Sequence, residues 1–207
     1  MIRSASELRA AARVSLSGKW GGAVVITLIY LVVMGVVPGF LSYEGSERFS
    51  SLVQLLLLPL AFGLNVAFLD NIRSGADYKI EQLLVGFRDY TRVLGTALLA
   101  GIYIFLWSLL LIVPGIIKAY SYAMTFYVLR DHPELKYNGA IERSMKMMDG
   151  HKFDLFYLQL TFIGWGLLCV LTLGIGYLWL APYMQASFAH FYEDVRADYE
   201  SRIGEAA

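Results

Sequence analysis

Six apolar runs divide the chain, at residues 21–41, 52–69, 93–113, 115–129, 155–173 and 175–192, and the polar segments between them hold nearly every charge. An α-helix rises about 1.5 Å per residue, so about 20 residues match a hydrocarbon core of about 30 Å. A helix satisfies its own backbone hydrogen bonds, which is what such a core demands of a single spanning segment. The pattern predicts an all-α fold, a polytopic membrane helical bundle with six transmembrane helices in one domain covering residues 1–207. The fourth run is short and carries Lys118. Pro114 suits its first helical turn, with the Lys118 ammonium snorkelling to the outer headgroups.

Composition agrees, since 57% of residues are hydrophobic and 16% charged, against about 45–50% and about 25% in ordinary soluble domains. The formal net charge of zero conceals a segregation. Arg3, Arg9, Arg13 and Lys19 precede the first run. Arg73, Lys79, Arg88 and Arg92 follow the second, and Arg130, Lys136, Arg143, Lys146 and Lys152 follow the fourth, while Arg196 and Arg202 close the chain. Only Arg48 and Lys118 fall on the other side. Short cationic loops stay cytoplasmic, so both termini are expected there. Nucleic acid is not an expected partner, because no basic tract is present. The one cysteine, Cys169, lies in an apolar run and forms neither an intramolecular disulfide nor a cysteine metal cluster. The first polar region, nearly twenty residues long and containing Glu7, differs from a cleavable signal peptide.

The runs group into three parallel helix-pair repeats, about 4–73, 80–131 and 139–195, each preceded by an amphipathic cytoplasmic helix. Gly18, Gly86 and Gly150 recur at spacings of 68 and 64, and the second run of each pair closes on an acid: Asp70, Asp131 and Asp194. Ser4 and Glu7 open the first unit with a capping-box pattern. An even number of spans per unit gives all three one orientation, as in parallel transporter repeats. Pro59 and Pro182 lie inside the second and sixth runs, where each removes a helical hydrogen bond and bends the helix.

Two sets of residues are candidates for contact with a ligand or lipid. In the amphipathic segments, Arg13, Lys19, Lys146 and Lys152 stand beside apolar groups such as Leu8, Val14, Leu83, Phe87, Ile141 and Met145, a mixture suited to the headgroup layer of an anionic membrane. The same segments could equally pack beneath the bundle. Within the runs, Asn65, Gln185 and Lys118 are polar where polarity is costly, although Asn and Gln also serve as interhelical hydrogen-bond partners. His151, in "GHK", is placed for proton sensing or phosphate contact. Histidine metal spacing, the P-loop, GxGxxG and the serine nucleophile elbow are all missing from the sequence. The expectation is therefore a noncatalytic protein with no cofactor.

The stretches "LWSLLLIVPGIIKAYSYAMTFYVLRDHPEL" and "AIERSMKMMDGHKFDLFYLQLTFIGWGLLCVLTLGIGYLWLAPYMQASFAHFYEDV", with "RAAARVSLSGKW" near the start, resemble the bacterial domain-of-unknown-function 975 family of integral membrane proteins. That resemblance implies a multi-pass protein of the bacterial plasma membrane and carries over no catalytic residues. Two functions stay open. One is a scaffold or accessory factor whose partners are membrane lipids, with other membrane proteins or a second copy of the chain as further partners. The other is a small-solute or lipid transporter or channel with a cavity between the repeats.

Overall fold

A computed structural model describes residues 2–43 and 47–206, with side chains for 2–40 and 50–204. It is all α, 82% helical, and has no strand among the described residues. Twelve α-helices follow in order: α1 (Ala5–Leu16), α2 (Trp20–Tyr43), α3 (Glu47–Leu56), α4 (Pro59–Ser74), α5 (Val85–Arg88), α6 (Tyr90–Leu110), α7 (Ile112–Tyr122), α8 (Thr125–Asp131), α9 (Asn138–Met147), α10 (Lys152–Leu160), α11 (Ile163–Leu171) and α12 (Tyr177–Ala206). A 3-10 turn, Ile80–Leu84, precedes α5. Five stretches are long and apolar enough to cross a membrane: Trp20–Phe40, Ser50–Ser74, Tyr90–Leu110, Ile112–Asp131 and Lys152–Leu171. The fourth run, short in the sequence, thus belongs to a helical stretch of 20 residues. The sixth forms the first half of α12, where Gln185, His190, Glu193 and Asp194 interrupt the apolar residues, and it is not among the five.

Local chemistry sets the helix ends. Ser4 and Glu7 form the expected capping box, with the Ser4 amide donating to Glu7 Oε2 at 2.7 Å. Gly18 (φ +76°) and Gly150 (φ +87°) adopt the left-handed conformation that lets the chain turn sharply out of one helix and into the next. Pro59 opens α4, just after the helical path breaks at residues 57–58. Pro182 lies inside α12.

Three hairpins result: α2 against α3–α4, α6 against α7–α8, and α10–α11 against α12. At the end holding the termini they pack on one another around Leu64, Phe68, Phe191 and Tyr192, all at most 2% exposed. Toward the opposite end Phe40, Leu109, Ile112 and Leu171 are 62–81% exposed. The first hairpin's turn, 44–46, and the Arg48 side chain counted to that far side lie outside the described residues.

The segments expected to be amphipathic cytoplasmic helices differ from one another. On α1, Leu8, Ala12 and Leu16 form a buried stripe against α12, and among its large apolar side chains only Val14 faces out. The middle segment is not an amphipathic α-helix but the 3-10 turn and four-residue α5. Its backbone is pressed under α4: a Cβ on Gly63 would stand 2.2 Å from the Leu83 carbonyl oxygen, and one on Gly86 would stand 2.3 Å from that of Pro59. So close a fit excludes a helix with side chains on that side. In the third segment α9 buries Ala140, Ile141, Ser144 and Met147. Gly63→Ala and Gly86→Ala should each cost about 1–3 kcal/mol by overpacking, read as lowered melting temperatures in detergent. Gly164→Ala, which meets nothing within 4 Å, should melt as the parent does.

Candidate functional site

The helices that close each apolar run on an acid bring those acids to one end of the bundle, where arginines from neighbouring segments clamp them. Arg73, in the last turn of α4, holds Asp131 of α8 through two bonds, Nη1 to Oδ1 at 2.6 Å and Nη2 to Oδ2 at 2.7 Å. Arg196 of α12 reaches the same carboxylate at 3.1 Å, and the Tyr192 hydroxyl donates to it at 2.7 Å. Arg73 also donates to Glu193 at 2.7 Å. Arg130 pairs with Asp70 at 3.1 Å, and Arg3 grips Asp194 from the N-terminal segment, with its closest bond at 2.6 Å. Tyr192 stacks on Tyr127, 4.9 Å between ring centres. Arg92 completes the cluster by donating to the carbonyls of Leu129, His132 and Leu135, a cation at the carboxyl end of α8 where the helix dipole favours one. The motif was visible as acids ending the runs. Their pairing was not, although an arginine stands within three residues of each.

The candidate residues separate into tied and untied groups. Lys19 donates to the Gly75 carbonyl at the end of α4, and Asn65 donates to Ala61 of its own helix at 2.7 Å. Gln185 is half-buried on α12. The Lys118 ammonium lies 3.7 Å from Met145 Sδ of α9 and 5.1 Å from the centre of the Trp107 ring, so an aromatic face and a polarisable sulfur receive it. Arg13, Lys146 and Lys152 have no side-chain hydrogen bond or ion pair among the described residues. Among the described residues no interaction brings the eight candidates into one site.

His151 bridges two helices. Nε2 lies 3.1 Å from Asp198 of α12 and Nδ1 3.3 Å from Asp154 of α10, in a pocket of about 460 Å³ bounded also by Ile2, Arg3 and Tyr157. The His151 hydrogen bond, with Arg202 at 3.0 Å, holds the Asp198 carboxyl below its usual range. A lowered carboxyl stabilises the fold above its unfolded value and stops doing so as pH falls through the folded one. That contribution is therefore present at neutral pH and is lost as the Asp198 carboxyl protonates in acid.

A second cavity, about 450 Å³, lies between the α1–α2 segment and the α11–α12 pair. Trp20, Trp165, Leu168, Trp179, Leu180 and Tyr183 line it, Thr172 and Gly176 lie at its far end, and Arg13 is its one charged residue. Three of the four tryptophans in the chain therefore face one groove. Their wide spacing along the chain hid this from the sequence. Among the described residues no group of three or more His, Cys, Asp or Glu is placed to hold a metal ion.

Residues 1–123 and 109–199 match a family described as "Protein of unknown function (DUF975)". The chain belongs to DUF975. No curated protein and no solved structure matches it. What the family has in common with the geometry above is therefore the chain itself: Asp131, His151, Arg13 and the three groove tryptophans all lie within the matched residues.

Removing the Asp131 carboxylate, 11% exposed, takes one partner from Arg73, Arg196 and Tyr192 while Glu193 still pairs with both arginines. Asp131→Ala should cost about 1.5–3 kcal/mol, measured by denaturation in detergent. Arg130→Ala, at a more exposed pair, should cost about 1 kcal/mol or less. For His151, hydrogen exchange supplies the check: Asp198→Asn should raise exchange at the amides of residues 151–155 at neutral pH, a rise the parent shows only in acid.

Proposed function

We propose that this DUF975 member is a noncatalytic integral membrane protein of the bacterial plasma membrane that binds anionic lipid at its termini-bearing face, as a scaffold or accessory factor. The five spanning-length stretches and the first half of α12 make six crossings in three similarly oriented hairpin units, with both termini cytoplasmic. Support for the orientation comes from the cation asymmetry, because the arginine-rich cluster and both described chain ends share one end of the bundle. The lipid tails would meet apolar side chains such as Leu109, Ile112, Leu171 and Leu173, which are 74–93% exposed.

The observation that carries the lipid reading is the division of labour among the cations. Arg3, Arg73, Arg130 and Arg196 are committed to acids, and Lys19 and Arg92 to helix-end carbonyls. Arg13, Lys146 and Lys152 have none of these partners among the described residues. Two of them stand next in sequence to exposed apolar side chains, Val14 (75%) and Phe153 (72%), the combination that seats a surface between headgroups and acyl chains. A passage through the bundle has less behind it: Phe68, Phe191 and Tyr192 fill its centre near the clamp.

The test compares thermal stabilisation of the detergent-purified protein by added phosphatidylglycerol and by phosphatidylcholine. Phosphatidylglycerol should stabilise the parent more. Arg13→Ala, Lys146→Ala and Lys152→Ala should each reduce the difference by about 1 kcal/mol in binding. Lys19→Ala should instead lower the baseline melting temperature, because its ammonium holds α4. Equal response of the parent to both lipids would refute the reading.

A further inference from the structure

The tryptophan groove deepens the lipid reading and rests on it: we infer that it is a specific site for one anionic phospholipid, with an acyl chain along Trp165, Leu168, Trp179 and Leu180 and the phosphate against Arg13. Its volume, about 450 Å³, falls in the range of about 300–1,000 Å³ usual for small-molecule sites. The walls are apolar from Tyr183 to the turn at Thr172–Gly176, and along α12 that distance is seven residues, about 10 Å of helix rise.

Charge complementarity fixes the headgroup. Arg13 is the groove's one charged lining residue. It lies in the last turn of α1, near the end of the bundle that gathers the other cations. Its guanidinium is exposed and without a hydrogen-bond or ion-pair partner among the described residues. A guanidinium offers a planar fork that matches phosphate oxygens. Arg9, one turn earlier, adds positive potential while its Nε donates to the Ala5 carbonyl. A zwitterionic headgroup would bring its own cation to the same lip and so gain less. The aromatic walls fit the same occupant, because indole rings tolerate both an acyl chain and an interfacial polar edge. None of the three indole N–H groups donates a hydrogen bond to a described residue. The gap itself is built in: α11 packs mainly on α12, which leaves its other side, with Trp165 (52%) and Leu168 (54%), uncovered.

Tryptophan quenching by brominated lipid reads this site directly. The full chain carrying Trp107→Phe, so that emission comes only from the three groove tryptophans, is reconstituted in phosphatidylcholine vesicles. A minor share of the lipid is either dibrominated phosphatidylglycerol or dibrominated phosphatidylcholine. The brominated phosphatidylglycerol should quench at a mole fraction about five- to tenfold lower than the brominated phosphatidylcholine. Arg13→Gln should abolish that preference, and Arg13→Lys should restore most of it. Free inorganic phosphate should not compete, since it brings no acyl chain. Equal quenching by the two lipids, or a preference that survives Arg13→Gln, overturns the site. If the parent still melts higher with phosphatidylglycerol and Lys146→Ala and Lys152→Ala reduce that rise, the general lipid reading stands and only the groove falls. If the parent shows no anionic preference in either measurement, both fall.

Discussion

The carboxylate of Asp131 is the point on which the bundle closes. It accepts from Arg73 on α4 and from Tyr192 and Arg196 on α12, so one side chain joins the second halves of all three hairpins. A charge this shielded is tolerated only when its lone pairs are satisfied and its partners are themselves held. Arg73 meets that condition through Glu193 and Tyr192 through its stack on Tyr127. The apolar contacts beneath, among Phe68, Leu64 and Phe191, supply area without direction. The ion-pair cluster supplies the direction, because a bidentate fork accepts only one relative rotation of α4 and α8.

The ion-pair cluster ties the hairpins together at the termini-bearing end, and elsewhere the helices are covered unequally. α12 packs on α1, α2, α4, α9 and α11, whereas α3 packs on α2 and α11 on α12. The tryptophan groove sits where this inequality is greatest, between a segment tied down by Arg3 and Asp194 and a hairpin arm with one neighbour. The ion-pair base and the open groove are thus two consequences of the same packing.

Much of this was legible in the sequence. The first five apolar runs placed the spanning-length stretches to within a few residues, whereas α12 continues well past the sixth, and Ser4, Glu7, Gly18 and Gly150 marked α1 and its exit and the entry to α10, because capping and left-handed turns are local chemistry. The clustering of cations in alternate segments gave the end where Asp70, Asp131 and Asp194 meet. The sequence reading went astray where backbone fit decides the outcome. Gly86 aligned with Gly18 and Gly150 by spacing, but it is helical and lies against Pro59, and nothing local to "LLVGFRDY" reports that contact. The contacts of Lys118 with Met145 and Trp107 likewise had no signal in its own stretch of chain. The groove was beyond reach, since Trp20 of α2, Trp165 of α11 and Trp179 of α12 come together only through tertiary packing.

The amphipathic segments carry the remaining step. Apolar residues beside cations suggested surfaces turned to the membrane, and in α1 and α9 most of that apolar face is used against the bundle: Leu8, Leu16, Ile141 and Met147 are each at most 1% exposed. Amphipathicity alone does not say which side of a helix meets lipid, because a protein core and an acyl layer select the same pattern. What distinguishes them is whether the flanking cations find acids. Arginines on the core side do, and the clamp is the result. Arg13, Lys146 and Lys152 do not, and a positive charge kept unpaired next to apolar surface is stabilised best by an anion that brings its own apolar chain, which is the chemistry of a phospholipid.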